Sequence, residues 1–271
     1  IYGHFGAPRM GAAGAAVGTL TARIAEICVL ITYISKKQSW IGIRIQDYLQ
    51  ADWKFGRKYY KVVCPLLVIQ GLWGVNTALQ TAILGHMTAA AIAANSAASN
   101  LFLMVKSAAV GAASAASVTM GKTIGSGDLK LAKLYSKKLQ KLFVVMGIIC
   151  GVLLFFIRIP VLSLYQLSPE TREMANTFLI ILSVVMLGMS YQMPTNGGII
   201  RGSGSIAYSM KVDLISTWAI VIPLSMFMAF VVKASPAIVV CCLNADQIFK
   251  CVPAFLKCHY GHWIKTMTNI S

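Results

Sequence analysis

Seven near-continuous apolar runs organise this chain: Gly11 to Ile34, Val62 to Leu84, Ala91 to Met120, Leu142 to Ile157, Ala175 to Met193, Leu214 to Val232 and Ala237 to Leu256. Lysines, arginines, glycines and serines fill the stretches between them. A helix rises about 1.5 Å per residue, so about 20 apolar residues cross a hydrocarbon core of about 30 Å. The pattern therefore predicts an all-α fold, a polytopic membrane helix bundle of about seven transmembrane helices. The fourth run is the shortest and the seventh the most polar.

Composition agrees. Hydrophobic residues make up 57% of the 271 and charged residues 12%, with a mean hydropathy of +0.71. An ordinary soluble domain carries about twice that share of charge. The formal charge of +16 would suit a nucleic-acid partner, but the basic residues are distributed as in a bilayer protein. With loops assigned alternately to the two sides, eighteen of the 24 Lys/Arg fall on the side of the C-terminal tail. Four fall on the other side, Arg23 and Lys106 lie within runs and are assigned to neither, and Lys250, near the end of the last run, is counted with the tail. By the positive-inside rule the chain starts outside and ends in the cytoplasm of a multi-pass cell-membrane protein, with the lipid bilayer and not nucleic acid as its partner. No basic segment or cleavage site precedes the first run, so no signal peptide is expected, and the chain reads as a fragment.

Two glycine-rich stretches imitate nucleotide-binding loops. Ala116 to Thr123 ends in Gly121-Lys122-Thr123, and Arg201 to Ala207 contains a Gly-x-Gly-x-x-Ala spacing. Both signatures bind phosphate only between a strand and a helix. Each here follows or joins membrane helices, so Gly121 to Gly127 reads as a helix end and turn. Arg201 is expected at a tight reversal, meeting lipid headgroups or helix C-termini. The seven cysteines show no metal-site or disulfide spacing, and no metal or other cofactor is expected. Asn269-Ile270-Ser271 fits a glycosylation acceptor but falls on the predicted cytoplasmic tail.

Polar groups at membrane depth are costly and mark function by default. Lys106 is near the middle of the third run, where an ammonium costs about 2.5 to 3.5 kcal/mol on insertion scales. The sequence names no partner for it, and coupling to ion movement and hydrogen bonding to nearby carbonyls both stay open. Asp246 and Lys250, four apart, share a helical face as an ion pair, either titratable within a path or merely self-neutralising. Arg23 and Glu26 are read likewise, with the structural role favoured. Gln70, Trp73, Asn76 and Gln80 recur on one face of the second run after Pro65 and are expected to line a cleft. Asn95, Asn100, Tyr191 and Asn196 are candidate hydrogen-bonding groups, or packing glue. Met104, Met186, Met189 and Met193 are candidates for an adaptable wall, or for packing.

Four stretches in order resemble the multidrug and toxic compound extrusion (MATE) family. Gly11 to Glu26 (GAAGAAVGTLTARIAE) is similar to the family's sixth helix, and Ala93 to Asn100 through Gly121 to Asp128 to its eighth helix and the turn after it. Asn196 to Ser205 (NGGIIRGSGS) resembles the turn after helix ten, and Ser216 to Phe230 resembles helix eleven. The resemblance implies two six-helix lobes with a cleft between them that works by alternating access. Residues 1–34 would be the last helix of the first lobe, 35–61 a basic cytoplasmic connector, 62–256 the second lobe and 257–271 a cytoplasmic tail, with roughly five helices preceding. It also implies a non-enzymatic antiporter that exports amphipathic, often cationic, drugs against Na+ or H+. Some relatives carry a glutamate near Gln70 and an aspartate near Ser190. Neither is present here, which places any essential carboxylate in the missing first lobe. Two alternatives stand beside this reading: a seven-helix retinal pigment using Lys250 and Asp246, and an inactive truncated remnant.

Overall fold

The computed structural model describes residues 11–37, 53–165, 167–261 and 263–264, which are almost wholly helical. Residues 38–52 of the expected connector and the Asn269-Ile270-Ser271 tripeptide lie outside the described residues. Two units are distinguished, Ile1–Pro65 and Leu66–Ser271.

The first unit contains helix α1, Gly11–Lys37. Its exposed Leu20, Ile24 and Ile31 suit a hydrocarbon environment, and Arg23 pairs with Glu26 at 2.6 Å. Thr21 and Thr32 donate their hydroxyls to the carbonyls of Val17 and Cys28, so neither adds an unpaired polar group at membrane depth.

Helix α2, Trp53–Met87, crosses the boundary between the units and includes the predicted run from Val62. The second unit continues with α3 (Ala89–Gly125), α4 (Leu129–Leu164) and α5 (Pro169–Met193), followed by α6 (Ile206–Leu214), α7 (Ile222–Met226), α8 (Pro236–Asn244), α9 (Asp246–Phe249) and α10 (Cys251–Tyr260). Wider π-helical turns extend α5 over Pro194–Ile200 and link α6 to α7 over Ile215–Val221. A third follows α7 at Phe227–Val231. Among the described residues six helices are long and apolar enough to cross a membrane, α6 and α7 with their π-helical turns counting as one and α8 to α10 as another. The second predicted run is helical within α2 but is not among those six.

Local chemistry fixes the helix ends. Thr88, Asp128 and Ser168 each accept a backbone N–H three residues on, closing the starts of α3, α4 and α5. Gly121 to Gly127 is indeed a helix end and turn, with Gly127 at φ 83°. The second reversal is shorter than expected. Asn196 to Gly202 stays helical, and only Ser203 to Ser205 turns, with Gly204 at φ 85°. Ser203 and Ser205 both donate to the carbonyl of Trp263, holding the end of the last helical region against this turn.

With no aqueous driving force between helices in lipid, close packing carries their association. The buried alanines of α3 face α5 and its π-helical extension. There the backbones approach so closely that a Cβ on Gly198 would stand 2.7 Å from the Ala113 carbonyl oxygen and from the Ala116 methyl. Phe178, Leu179 and Met186 of α5 form the core with Leu154 of α4 and Val239 and Val240 of α8. Gly188 lets α9 approach in turn, since its Cβ would meet the Gln247 carbonyl oxygen at 2.9 Å. That contact sets Asp246 and Lys250 beside α5.

Candidate functional site

A cavity of about 750 Å³ opens within the second unit. Gln70, Trp73 and Asn76 of α2 line one side and Lys106 of α3 another. Met189, Gln192, Met193 and Asn196 come from α5 and its extension, and Thr217 and Trp218 from the turn after α6. Arg201, Asp213, Gln247 and Lys250 complete its charged and polar part.

The π-helical turns help build this wall. Such turns add a residue to the helical circuit and are frequent at functional sites. One carries Asn196 and Gly197 to the cavity, the other Thr217 and Trp218. Asn196 is buried with its Oδ1 lacking a hydrogen-bond partner, as are the hydroxyls of Ser190, Thr195 and Ser225.

A continuous polar chain runs through the charged part. Gln192 Nε2 donates to Gln247 Oε1 at 2.7 Å, and Gln247 Nε2 donates to Asp246 Oδ2 at 2.8 Å. Lys250 Nζ donates to the same oxygen at 2.7 Å and reaches Asp213 Oδ1 at 3.3 Å. Asp213 Oδ2 accepts from Arg201 at 2.6 Å, and Arg201 Nε donates to Ser209 Oγ at 2.7 Å. Asp246 and Lys250 are both buried. A buried charge is tolerable only when paired and hydrogen-bonded, and two carboxylates sharing one ammonium meet that condition.

The predicted Asp246–Lys250 pair is therefore present, as one link in a longer network. Arg201 does not reach out to headgroups or helix ends as expected. It turns inward because Asp213 and Ser209, on the helix just after the reversal, offer it an ion pair and an acceptor. Among the described residues, Lys106 forms no ion pair. Its Nζ stands 5.9 Å from the centroid of the Trp73 ring.

Gln70, Trp73, Asn76, Lys106, Asn196 and Lys250 are brought to one cavity, with Asp246 behind Lys250. Asn95, Asn100 and Tyr191 are not on its lining. Asn95 is half-buried, Asn100 is exposed, and Tyr191 donates its hydroxyl to Gln140 Oε1 at 2.8 Å. Met189 and Met193 line the cavity, whereas Met186 is in the core and Met104 is 73% exposed. Sequence reasoning missed Asp213, Gln192, Gln247 and Trp218. Asp213 carried a usable signal: it is one of only 8 acidic residues and directly precedes an apolar run. Among the described residues, no group of three or more His, Cys, Asp or Glu side chains is arranged to hold a metal ion.

A membrane-spanning bundle of this kind, folded around a cavity with intramembrane charges, has the make-up of a transporter lobe. The MatE family model matches residues 65–227, more than half of the chain, and the chain belongs to that family. Curated relatives include a Probable multidrug resistance protein NorM from Bacillus cereus, 24% identical over 84% of this chain and 50% of its own length. Another of that name, from Halalkalibacterium halodurans, is 23% identical over 100% of this chain and 54% of its own. Multidrug resistance protein MdtK from Edwardsiella ictaluri is 20% identical over 88% and 52%. The chain spans about half the length of the curated relatives it matches. Among solved structures, a MOP superfamily transporter from Pyrococcus furiosus shares the fold with a TM-score of 0.69 at 12% identity, over 76% of this chain and 45% of that one. Family membership decides against the retinal-pigment alternative.

Proposed function

We propose that this chain forms the second lobe, with one preceding helix, of a cation-coupled antiporter that extrudes amphipathic organic compounds by alternating access. The observation that supports this most strongly is the cavity at membrane depth, where aromatic and thioether side chains adjoin a network of charged groups. An apolar body and a polar group of one ligand would each find a complementary wall. The NorM and MdtK relatives are named for multidrug resistance, which fits such cargo. In this orientation the basic loops face the cytoplasm of the cell membrane.

Coupling would run through the network. A proton or Na+ taken up at Asp213 or Asp246 competes with Lys250 and Arg201 for the same oxygens. Binding therefore loosens the tie between α6 and α9, and release restores it. A ligand or ion shifts such an equilibrium only as far as it binds the two states differently.

The test is reconstitution of the protein into liposomes with an imposed H+ or Na+ gradient, following a fluorescent dye across the membrane. Gradient-driven dye movement that is abolished by an ionophore and by Asp246→Asn is expected. Dye movement indifferent to both gradients would overturn the coupling. Absence of movement would favour the inactive-remnant alternative.

A further inference from the structure

The charges around the cavity do not balance. Lys106, Arg201 and Lys250 line it with Asp213, and among the described residues Asp246 is the one further carboxylate in the network. Three basic side chains against two carboxylates leave one net positive charge, and both carboxylates are already engaged. Asp213 holds Arg201 and Lys250, while Asp246 holds Lys250 and the Gln247 amide.

Lys106 carries the excess. Among the described residues no carboxylate lies within ion-pair distance of it, and the Trp73 face at 5.9 Å is at the outer limit of about 6 Å for a cation–π contact. An ammonium in a low-dielectric cavity lacks the hydration it would have in water, so it gains from an anion brought beside it. A cationic ligand would add a second positive charge where, among the described residues, no carboxylate is left unpaired.

The rest of the wall defines what the anion should be attached to. Trp73 is 60% exposed, and Trp218, Met189 and Met193 add aromatic and flexible apolar surface. Aromatic and thioether groups accept flat apolar bodies of varied outline.

We infer that this cavity binds amphipathic organic anions, a carboxylate or sulfonate on a flat apolar body, with the acid group on Lys106 and the body against Trp73 and Trp218. This rests on the reading of the cavity as the cargo site, and it runs against the cationic cargo that the family resemblance implies. The network beyond Lys106 then acts as a neutral polar floor. Among the described residues, Lys106 is the group that selects the sign of the ligand.

The probes are two dyes of similar size and opposite charge, 8-anilinonaphthalene-1-sulfonate and ethidium, titrated against the full chain in discs of zwitterionic lipid. The sulfonate should bind at least tenfold more tightly than ethidium. Lys106→Gln should weaken sulfonate binding by about tenfold, Lys106→Arg should retain it, and Lys137→Gln should leave it unchanged. Lys137 is exposed on α4 outside the cavity, so it controls for the general attraction of a basic protein for anions.

Ethidium binding as tightly as the sulfonate would overturn the inference, as would equal losses in Lys106→Gln and Lys137→Gln. The comparison of the two dyes on the unaltered chain decides the matter even if Lys106→Gln does not fold. The liposome assay separates this inference from the transport reading. Gradient-driven movement of ethidium but not the sulfonate would remove the ligand class and leave transport standing. Sulfonate binding that depends on Lys106, with no movement of either dye, would leave the ligand class and remove transport.

Discussion

Replacing Lys250 with methionine tests the charged network at its centre. The ammonium is within 2.7 Å of Asp246 Oδ2 and 3.3 Å of Asp213 Oδ1, and both Lys250 and Asp246 are buried. Methionine keeps most of the side-chain volume, so packing changes little. What disappears is the positive charge between two carboxylates. Asp213 retains Arg201, but among the described residues Asp246 is left with the Gln247 amide at 2.8 Å. Removing one partner of a buried pair costs about 3 to 5 kcal/mol, because the remaining charge stays desolvated. For a chain of this size each kcal/mol moves the melting midpoint by about 2 to 4 °C, so Lys250→Met should melt on the order of 10 °C lower. Neutralising the orphan as well, in Lys250→Met with Asp246→Asn, should recover more than half of the loss, because an amide can share hydrogen bonds with Gln247 without carrying charge. The assay is thermal unfolding of the single and double variants in one detergent, scored as a double-mutant cycle. Single variants within 2 °C of the parent, or strictly additive effects, would refute the argument that these charges hold one another in place.

Three further changes probe other links. Gly198→Ala should destabilise the protein by about 1 to 3 kcal/mol, since its Cβ would stand 2.7 Å from Ala113 backbone oxygen and the Ala116 methyl; an unchanged melting midpoint would show that α3 and the extended α5 do not pack this closely. Arg201→Lys should lose the contact to Ser209 or the one to Asp213, because one ammonium lacks the planar fork that serves both. The check is a melting midpoint lowered in Arg201→Lys but restored when Ser209→Ala removes the second acceptor from both backgrounds. Asp128→Ala should cost about 1 kcal/mol by uncapping α4 at the Leu131 N–H, with amide exchange rising only in the first turn of that helix.

The sequence carries the helices and their ends plainly, because each is a local property. Apolar runs of membrane length become helices, and Thr88, Asp128 and Ser168 sit where a cap is needed. The Asp246–Lys250 pair is equally local, being one helical turn apart. Arg201, Asp213 and Lys250 are different. Their meeting depends on a reversal at Ser203 to Ser205 and on the approach of α9 to Gly188, neither of which is encoded in the spacing of the charges themselves. The extension of α5 through Asn196 to Gly202 is hidden for another reason. Gly197 and Gly198 suggest a turn when read locally, yet their smallness serves helix contact with α3. The π-helical turns also leave little trace, since they differ from ordinary helix by hydrogen-bond register more than by residue preference. Lys106 was conspicuous from its depth alone, but its isolation from carboxylates required the fold.

In the proposed mechanism the cavity bounded by the charged network is the cargo site and is open to water. Thr217 lines it without belonging to the network, so Thr217→Cys in membrane vesicles, treated with a water-soluble methanethiosulfonate reagent, tests the claim most directly. Labelling well above the background of the native cysteines, protection from labelling by bound dye, and loss of dye movement after labelling are expected. No labelling above that background, or full dye movement through the labelled protein, would contradict it.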